Sequence, residues 1–309
     1  MLPVSQNLTE IKSGYSNKKI FRLSEKKMNK IIIDFSKDKK EFYNFLNIYQ
    51  ILSKVNVSIP KIYEVYTKNK SIIMEDFGDA TFDKIYNDQN LYSLLRLAVD
   101  NLIIIQNSLT SSDLNELEEY SFKKLRIEIS EFVDYYIPYK KIKKFPKNEF
   151  YNCWETSFRK QKFEFKSFNH KDYEFINLIF TNEKNNHLKC GIIDFQSAYI
   201  GFSGWDLFSI LENPRVYFSS KYNHDLIKYY HENVNTKIKF HRFQSQYYLL
   251  NLARLTRLLG RWIKLLKTQN NKTYLNYLQC TEKRILSSLN YIESENLKSF
   301  YKRYIKNYA

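Results

Sequence analysis

The sequence predicts an α+β protein of two lobes. A small mixed α/β lobe with an antiparallel sheet is expected over residues 1–78, and a larger, mainly helical lobe over residues 79–309. Three observations carry that expectation. Between residues 8 and 75, short apolar runs follow one another at strand spacing around a single helix-periodic stretch. Residues 168–214 read as a polar loop followed by a hairpin. From residue 90 onward, outside that central segment, apolar residues recur at helical spacing.

Taken in order, residues 8–23 read as two strands, LTEIK and KIFRL, around the polar turn SGYSNK. That turn holds one glycine, Gly14, flanked by Ser13, Ser16 and Asn17. KIIIDF at 30–35 is the third strand, and it reaches Asp34 near its end. Lys39–Leu52 is helical, with Phe42, Phe45, Leu46, Tyr49 and Leu52 on one face. Glu41, in its first turn, is expected to be solvated. Pro60 introduces strands over 61–66 and 71–75, which lead to the connecting stretch Met74-Glu75-Asp76-Phe77-Gly78. Leu91, Leu94, Leu95, Ala98, Leu102, Ile105 and Leu109 make an apolar helical stripe, and 111–119 is a polar connection. A helix over about 151–161 leads into KFEFKSF at 162–168, which alternates in strand fashion. After Pro214, helices are expected near 225–232, 241–266, 274–291 and 295–308.

Bulk properties narrow the function classes. A chain of 309 residues, 17% aromatic and 27% charged, can bury a sizeable core and is not a disordered segment. No apolar run approaches the ~20 residues of a membrane helix. The N-terminus lacks a basic start followed by an apolar core, so the cytoplasm is the expected location, and a monomer is expected. Cys153, Cys190 and Cys280 form neither a disulfide framework nor a Cys-x-x-Cys metal clip; Cys190, in a strand, reads as a small buried hydrophobe. The net charge of +16 raises nucleic-acid binding as a possibility. It is spread along the whole chain, however, with Lys, Asn, Ile and Tyr abundant and Gly and Pro scarce. A solvated lysine surface shaped by genome composition is the preferred reading, and a nucleic-acid partner is not expected.

Function is concentrated in the central segment. Its polar turn carries His170, Asp172 and Asn177; a short apolar run, 178–180, and a turn at 182–187 follow, and a second strand over 188–193 delivers Asp194. Asp and Asn are ordinary turn residues, so D-x-x-x-x-N alone means little. Joined to a hairpin and a strand-end aspartate, the set suits phosphoryl transfer. Such transfer needs a carboxylate to take the acceptor's proton and hard oxygen ligands for Mg²⁺.

The H-x-D-x-x-x-x-N spacing with the later I-I-D-F resembles the catalytic loop of the protein-kinase-like fold. With Gly201 and Trp205-Asp206-Leu207 it resembles the aminoglycoside phosphotransferase/choline kinase superfamily. The string IIDFQSAYIGFSGWDLFSILENPRV, with ARLTRLLGRWIKL at 253–265 and Tyr274-Leu275, is most similar to the N-acetylmuramate/N-acetylglucosamine anomeric kinases of cell-wall recycling. The resemblance implies ATP and Mg²⁺ as cofactors, Asp172 as base, and Asn177 and Asp194 as metal ligands. It implies that His170 and Asp206 support the loop.

On the same resemblance, the turn with Ser13 and Gly14 lies over the phosphates, Arg22 is a candidate phosphate contact, and the backbone of Glu75 and Phe77 faces adenine. Asp76-Phe77-Gly78 spells D-F-G, but it precedes the catalytic loop, so Asp194 takes the metal role. Protein kinases place an ATP-binding lysine on the third strand. Asp34 stands there instead, which leaves that phosphate contact unassigned, with Lys30 or Arg22 as candidate substitutes. Glu41 lies where a kinase helix offers a carboxylate to the lysine, and without that lysine it is expected to be solvated. Arg215, Arg254 and Arg257 are candidates for contacting an acidic sugar, unless Arg254 and Arg257 merely face solvent on a basic helix. The five histidines show no metal-ligand spacing, and no glycine-flanked serine suggests a hydrolase.

Three functions compete: an anomeric amino-sugar kinase, a kinase of choline, ethanolamine, an aminoglycoside or another small molecule, and a non-catalytic basic nucleic-acid-binding or scaffold protein.

Overall fold

The computed structural model describes residues 7–11, 18–24, 28–216 and 220–305; the turn carrying Ser13 and Gly14 lies outside them. The chain divides into two compact units, Met1–Glu116 with His170–Ala198, and Leu117–Asn169 with Tyr199–Ala309. The boundary expected at residue 78 falls inside the first unit.

The first unit opens with β1 (Leu8–Ile11), β2 (Lys19–Leu23), β3 (Lys30–Asp34), α1 (Lys39–Leu52), β4 (Ile62–Tyr66) and β5 (Ser71–Glu75). The strands form one antiparallel sheet in the order β1-β2-β3-β5-β4. Period-two alternation sorts its side chains. Leu23, Ile32 and Ile73 pack together, with Leu8, Phe21 and Tyr63 against them. Helix α1 begins where the Asp38 carboxylate accepts from the Glu41 backbone N–H at 2.9 Å, a cap worth about 1 kcal/mol. Its stripe of Phe42, Phe45, Ile48, Ile51 and Leu52 is buried. Helices α2 (Phe82–Ile85) and α3 (Leu91–Ser108) follow, with the expected stripe of α3 buried from Leu91 to Ile105.

The second unit takes up the chain with α4 (Phe122–Glu131), a π-helical turn (Phe132–Tyr136), α5 (Ile137–Tyr139), α6 (Lys147–Gln161) and β6 (Ser167–Asn169). The alternation in KFEFKSF does not make a long strand. Lys162 stops α6 at φ +45°, and only the last residues pair. Phe163 and Phe165 instead stack on each other with ring centroids 5.4 Å apart, and both meet Phe158. Aromatic packing has overridden the strand pattern.

The chain then returns to the first unit for β7 (Leu178–Phe180) and β8 (Cys190–Ile192), an antiparallel hairpin. It re-enters the second unit through β9 (Tyr199–Gly201), the partner of β6. Helices α7 (Trp205–Leu211), α8 (Ser220–Asn233), α9 (Phe240–Gln269), α10 (Leu278–Ser288) and α11 (Glu295–Tyr304) complete that unit. The 30-residue α9 is buried on nearly every side between Phe243 and Leu265, which marks it as the central helix of its unit. Among the described residues, no helix is long and apolar enough to cross a membrane.

Two backbone features stand out. Outside glycine, positive φ occurs at Lys70, Lys141, Lys162, Lys171, Asp194 and Asn270. Gly260 of α9 sits so close to the π-helical turn that a Cβ there would run into the backbone of Glu131 and Phe132. Gly260→Ala must push two main chains apart. It is expected to destabilise the protein by roughly 2–3 kcal/mol in chemical denaturation, and an unchanged midpoint would contradict this packing.

Candidate active site

The polar loop at 170–177 is pinned by side chains that point inward. His170 Nε2 lies 2.9 Å from Ile193 O, and Tyr173 donates its hydroxyl to Ala98 O of α3 at 3.0 Å. Phe175 packs edge-on against Phe82 and Tyr86, at 5.8 and 5.7 Å. Asn177 closes the loop on itself: its Nδ2 donates to Asp172 O at 2.8 Å, and its N–H to Glu174 O at 2.8 Å. That bond turns the Asn177 amide oxygen the other way. Half-buried Asp172 and Asn177 flank the buried run 173–175 and the exposed Ile176. Burial lowers the His170 pKa, against the pull of Asp172 and Asp194, so the ring is neutral at pH 7.

The hairpin carries Asp194 to the loop. Ile193 N–H donates to Asn177 O at 3.1 Å, and Ile192 N–H to Ser58 O at 2.8 Å. Gly191 is required here: a Cβ would lie 2.6 Å from the Phe77 ring, which rests on the hairpin. Asp194, which follows Ile193, takes the left-handed conformation at φ +64°, tolerated best by Gly, Asn and Asp. Phe195 then stacks on Phe45 of α1 with centroids 4.8 Å apart, anchoring the turn. Partial burial would raise the Asp194 pKa. The Lys18 charge, with hydrogen bonds from Lys18 and Gln196, overcomes this and holds it below the ordinary value. The carboxylate is therefore ionised.

Asp194 and the outward amide oxygen of Asn177 are hard oxygen donors. Among the described residues, no cluster of three or more His, Cys, Asp or Glu could hold a metal by itself. Two protein ligands completed by phosphate oxygens and water are nevertheless what Mg²⁺ ordinarily takes, so the donor set fits that ion.

The cations near the sheet are not arranged as expected. Arg22 of β2 forms a fork: Nε and Nη2 bond Asp76 at 2.6 and 3.1 Å, and Nη1 and Nη2 bond Asp79 at 2.8 and 3.0 Å. Its hydrogen bonds to Asp79 and then Asp76 hold its pKa well above the ordinary arginine value. Lys30 lies at the opposite end of β3, beside Glu75, with its ammonium 5.9 Å from the Tyr63 ring centroid. Asp34 accepts from Ser36 N–H at 2.8 Å. The cation that meets Asp194 is Lys18, immediately before β2, whose Nζ bonds Asp194 Oδ1 and lies 3.7 Å from Glu41. Glu41 is thus in an ion pair and not simply solvated, which corrects the expectation. Lys18 carried no motif, and Glu41 only its place in the first turn of a kinase-like helix; the pairing joins segments far apart in sequence.

In the connecting stretch, Glu75 donates its N–H to Lys61 O at 2.8 Å, and Gly78 at φ +84° donates to Asp76 Oδ1 at 2.8 Å. Cys190 is buried, its thiol pushed up to about 12 by burial, and behaves as the expected small hydrophobe. The remaining candidates belong to the second unit. Asp206 is buried in α7. Arg254 is 1% exposed and donates to Ser209 O at 3.4 Å, so it is neither solvated nor presented at a surface. Arg257 pairs with Glu128 at 3.4 Å, and Arg215 Nε reaches Asn213 Oδ1 at 3.5 Å.

A family described as the phosphotransferase enzyme family (APH) matches residues 7–241. The chain belongs to this family. The kinase-like fold expected from the sequence is the one observed. An N-acetylmuramate/N-acetylglucosamine kinase of Caulobacter vibrioides is 22% identical over 239 residues, which span 74% of this chain and 65% of that relative. Among solved structures, choline kinase LicA of Streptococcus pneumoniae superposes with a TM-score of 0.62 at 14% identity, covering 91% of this chain and 95% of the other. A ternary complex of streptomycin, ATP and the aminoglycoside phosphotransferase APH(2")-IIa superposes at 0.58 and 15% identity, covering 82% and 84%.

The Arg22 fork ties β2 to the stretch leading out of the sheet, with Asp76 almost fully enclosed. Arg22→Met is expected to lower stability by roughly 1–2 kcal/mol. A double-mutant cycle with Asp76→Asn should recover most of that as coupling, and additive losses would show that the fork contributes nothing.

Proposed function

We propose that the protein transfers the γ-phosphoryl group of ATP to a hydroxyl of a small molecule, its acceptor being the anomeric hydroxyl of N-acetylmuramate or N-acetylglucosamine. The observation that carries phosphoryl transfer is the locking of Asp172, Asn177 and Asp194 into one loop-and-hairpin, with Asp194 ionised. The amino-sugar acceptor is supported by the likeness to the Caulobacter vibrioides kinase and by the strings IIDFQSAYIG and ARLTRLLGRW.

In this reading Asp172 accepts the proton of the acceptor hydroxyl as its oxygen attacks phosphorus. An anomeric hydroxyl is more acidic than the other sugar hydroxyls, which suits a plain carboxylate. Asn177 and Asp194 hold Mg²⁺, which when bound neutralises phosphate charge. His170, neutral and fixed to Ile193 O, holds the loop in register, and buried Asp206 is a structural support within its own unit. The turn of Ser13 and Gly14 covers the phosphates. The N–H of Glu75 is already used, so its carbonyl is offered to adenine together with the backbone of Phe77. Arg22 acts through the fork with Asp76 and Asp79, and Arg215, Arg254 and Arg257 remain the candidate contacts for an acidic sugar. Positioning and charge neutralisation supply most of the rate.

Asp172→Ala is expected to reduce turnover by about 100-fold or more while ATP binding persists; a variant retaining most of the wild-type rate would dismiss Asp172 as base. Asp194→Ala and Asn177→Ala should each shift the Mg²⁺ titration to higher concentration, and unchanged curves for both would remove the metal assignment. For the acceptor, the protein is incubated with ATP, Mg²⁺ and each sugar or amine, and the product phosphate is located by phosphorus–proton NMR. Phosphate on the anomeric carbon, abolished with the methyl glycoside, is the expected result. Phosphate on the primary hydroxyl, or turnover with amines alone, would leave only the family assignment.

A further inference from the structure

In kinase-like sites a lysine on the third strand reaches the nucleotide phosphates while a helix glutamate steadies it. In this chain β3 runs Lys30–Asp34 and offers no lysine at that end. Asp34 caps a turn, Lys30 sits at the other end beside Glu75, and Arg22 is held by two aspartates. The ammonium beside Asp194 comes from the neighbouring strand. Lys19 is the register partner of Asp34, so Lys18 lies at the end of β2 alongside the end of β3. From there its four-carbon stem carries Nζ to Asp194 and to within 3.7 Å of Glu41.

We propose that Lys18 is the phosphate-contacting lysine of this chain, moved one strand over, and that Glu41 is its positioning residue. This rests on the phosphotransfer reading above. Lys18 is 5% exposed, and an ammonium so enclosed must be paired with negative charge. One of its two carboxylates is the Asp194 metal ligand of that reading, so Lys18 borders the place where triphosphate oxygens would lie. Glu41 is fixed independently: it occupies the first turn of α1, whose start is set by the Asp38 cap. Lys18 can therefore exchange Asp194 for phosphate oxygens while Glu41 keeps its direction. The pairing also accounts for Asp34: with the ammonium supplied from β2, that position is free to cap a turn.

The test separates phosphate recognition from folding by titrating wild type and Lys18→Met with ATP·Mg²⁺ and with adenosine in a calorimeter. ATP affinity is expected to fall about 10- to 100-fold, the scale of one charge-assisted contact, with adenosine affinity unchanged. Undiminished ATP affinity, or equal loss for both ligands, overturns the proposal. Should Lys18→Met fail to fold, wild-type protein is treated with an acyl phosphate of ATP, whose acyl carbon is attacked by a neighbouring amine to form an amide and release ATP. Peptide mapping should find the amide on Lys18, suppressed by excess ATP; labelling confined to other lysines also overturns it. Wild-type protein that binds no ATP removes the phosphotransfer reading and this proposal together, whereas ATP binding indifferent to Lys18 removes this one alone.

Discussion

The peptide at Ile193 holds the candidate site together. Its carbonyl faces His170 at one end of the 170–177 loop, and its N–H donates to Asn177 O at the other. One residue thus fixes both ends of the loop, and the next residue is Asp194. Buried backbone groups must find partners. Here that requirement fixes the spacing of the three polar side chains, because sliding the strand by one residue would break both bonds and turn every side chain over.

Around this junction the first unit is layered so that each candidate catalytic group is backed by something rigid. Phe195 is stacked under α1, Tyr173 is bonded to α3, and Phe77 lies on Gly191. The functional side chains themselves are short and carry few torsions. Precision therefore comes from the packing of their neighbours along the chain, which suits chemistry that works by position and charge.

Much of this was legible in the sequence because it is local. The bounds of α1, the strands β2 to β5 and the hairpin follow from periodicity and turn residues, and the loop from the spacing of Asp172 and Asn177. What periodicity does not encode is which distant side chains meet. Lys18 with Glu41 and Asp194, and Arg22 with Asp76 and Asp79, are pairings between segments that only the folded sheet brings together. The alternative offered for Arg254, a solvated place on a basic helix, fails for a related reason: the helix is enclosed. KFEFKSF alternates correctly for a strand, yet its phenylalanines found better partners in one another.

The left-handed lysines have a consequence at the level of the gene. Among the described residues, four of the six non-glycine positions with positive φ are lysines, in a chain with 6 glycines and 49 lysines and arginines. Each such position costs about 1 kcal/mol relative to a residue at ease there. Glycine codons begin with two guanines, whereas lysine codons are rich in adenine. A genome drifting toward adenine and thymine would therefore keep supplying the less comfortable residue at tight turns. The turns at these lysines then retain a reserve of stability that glycine, at ease at positive φ, would release.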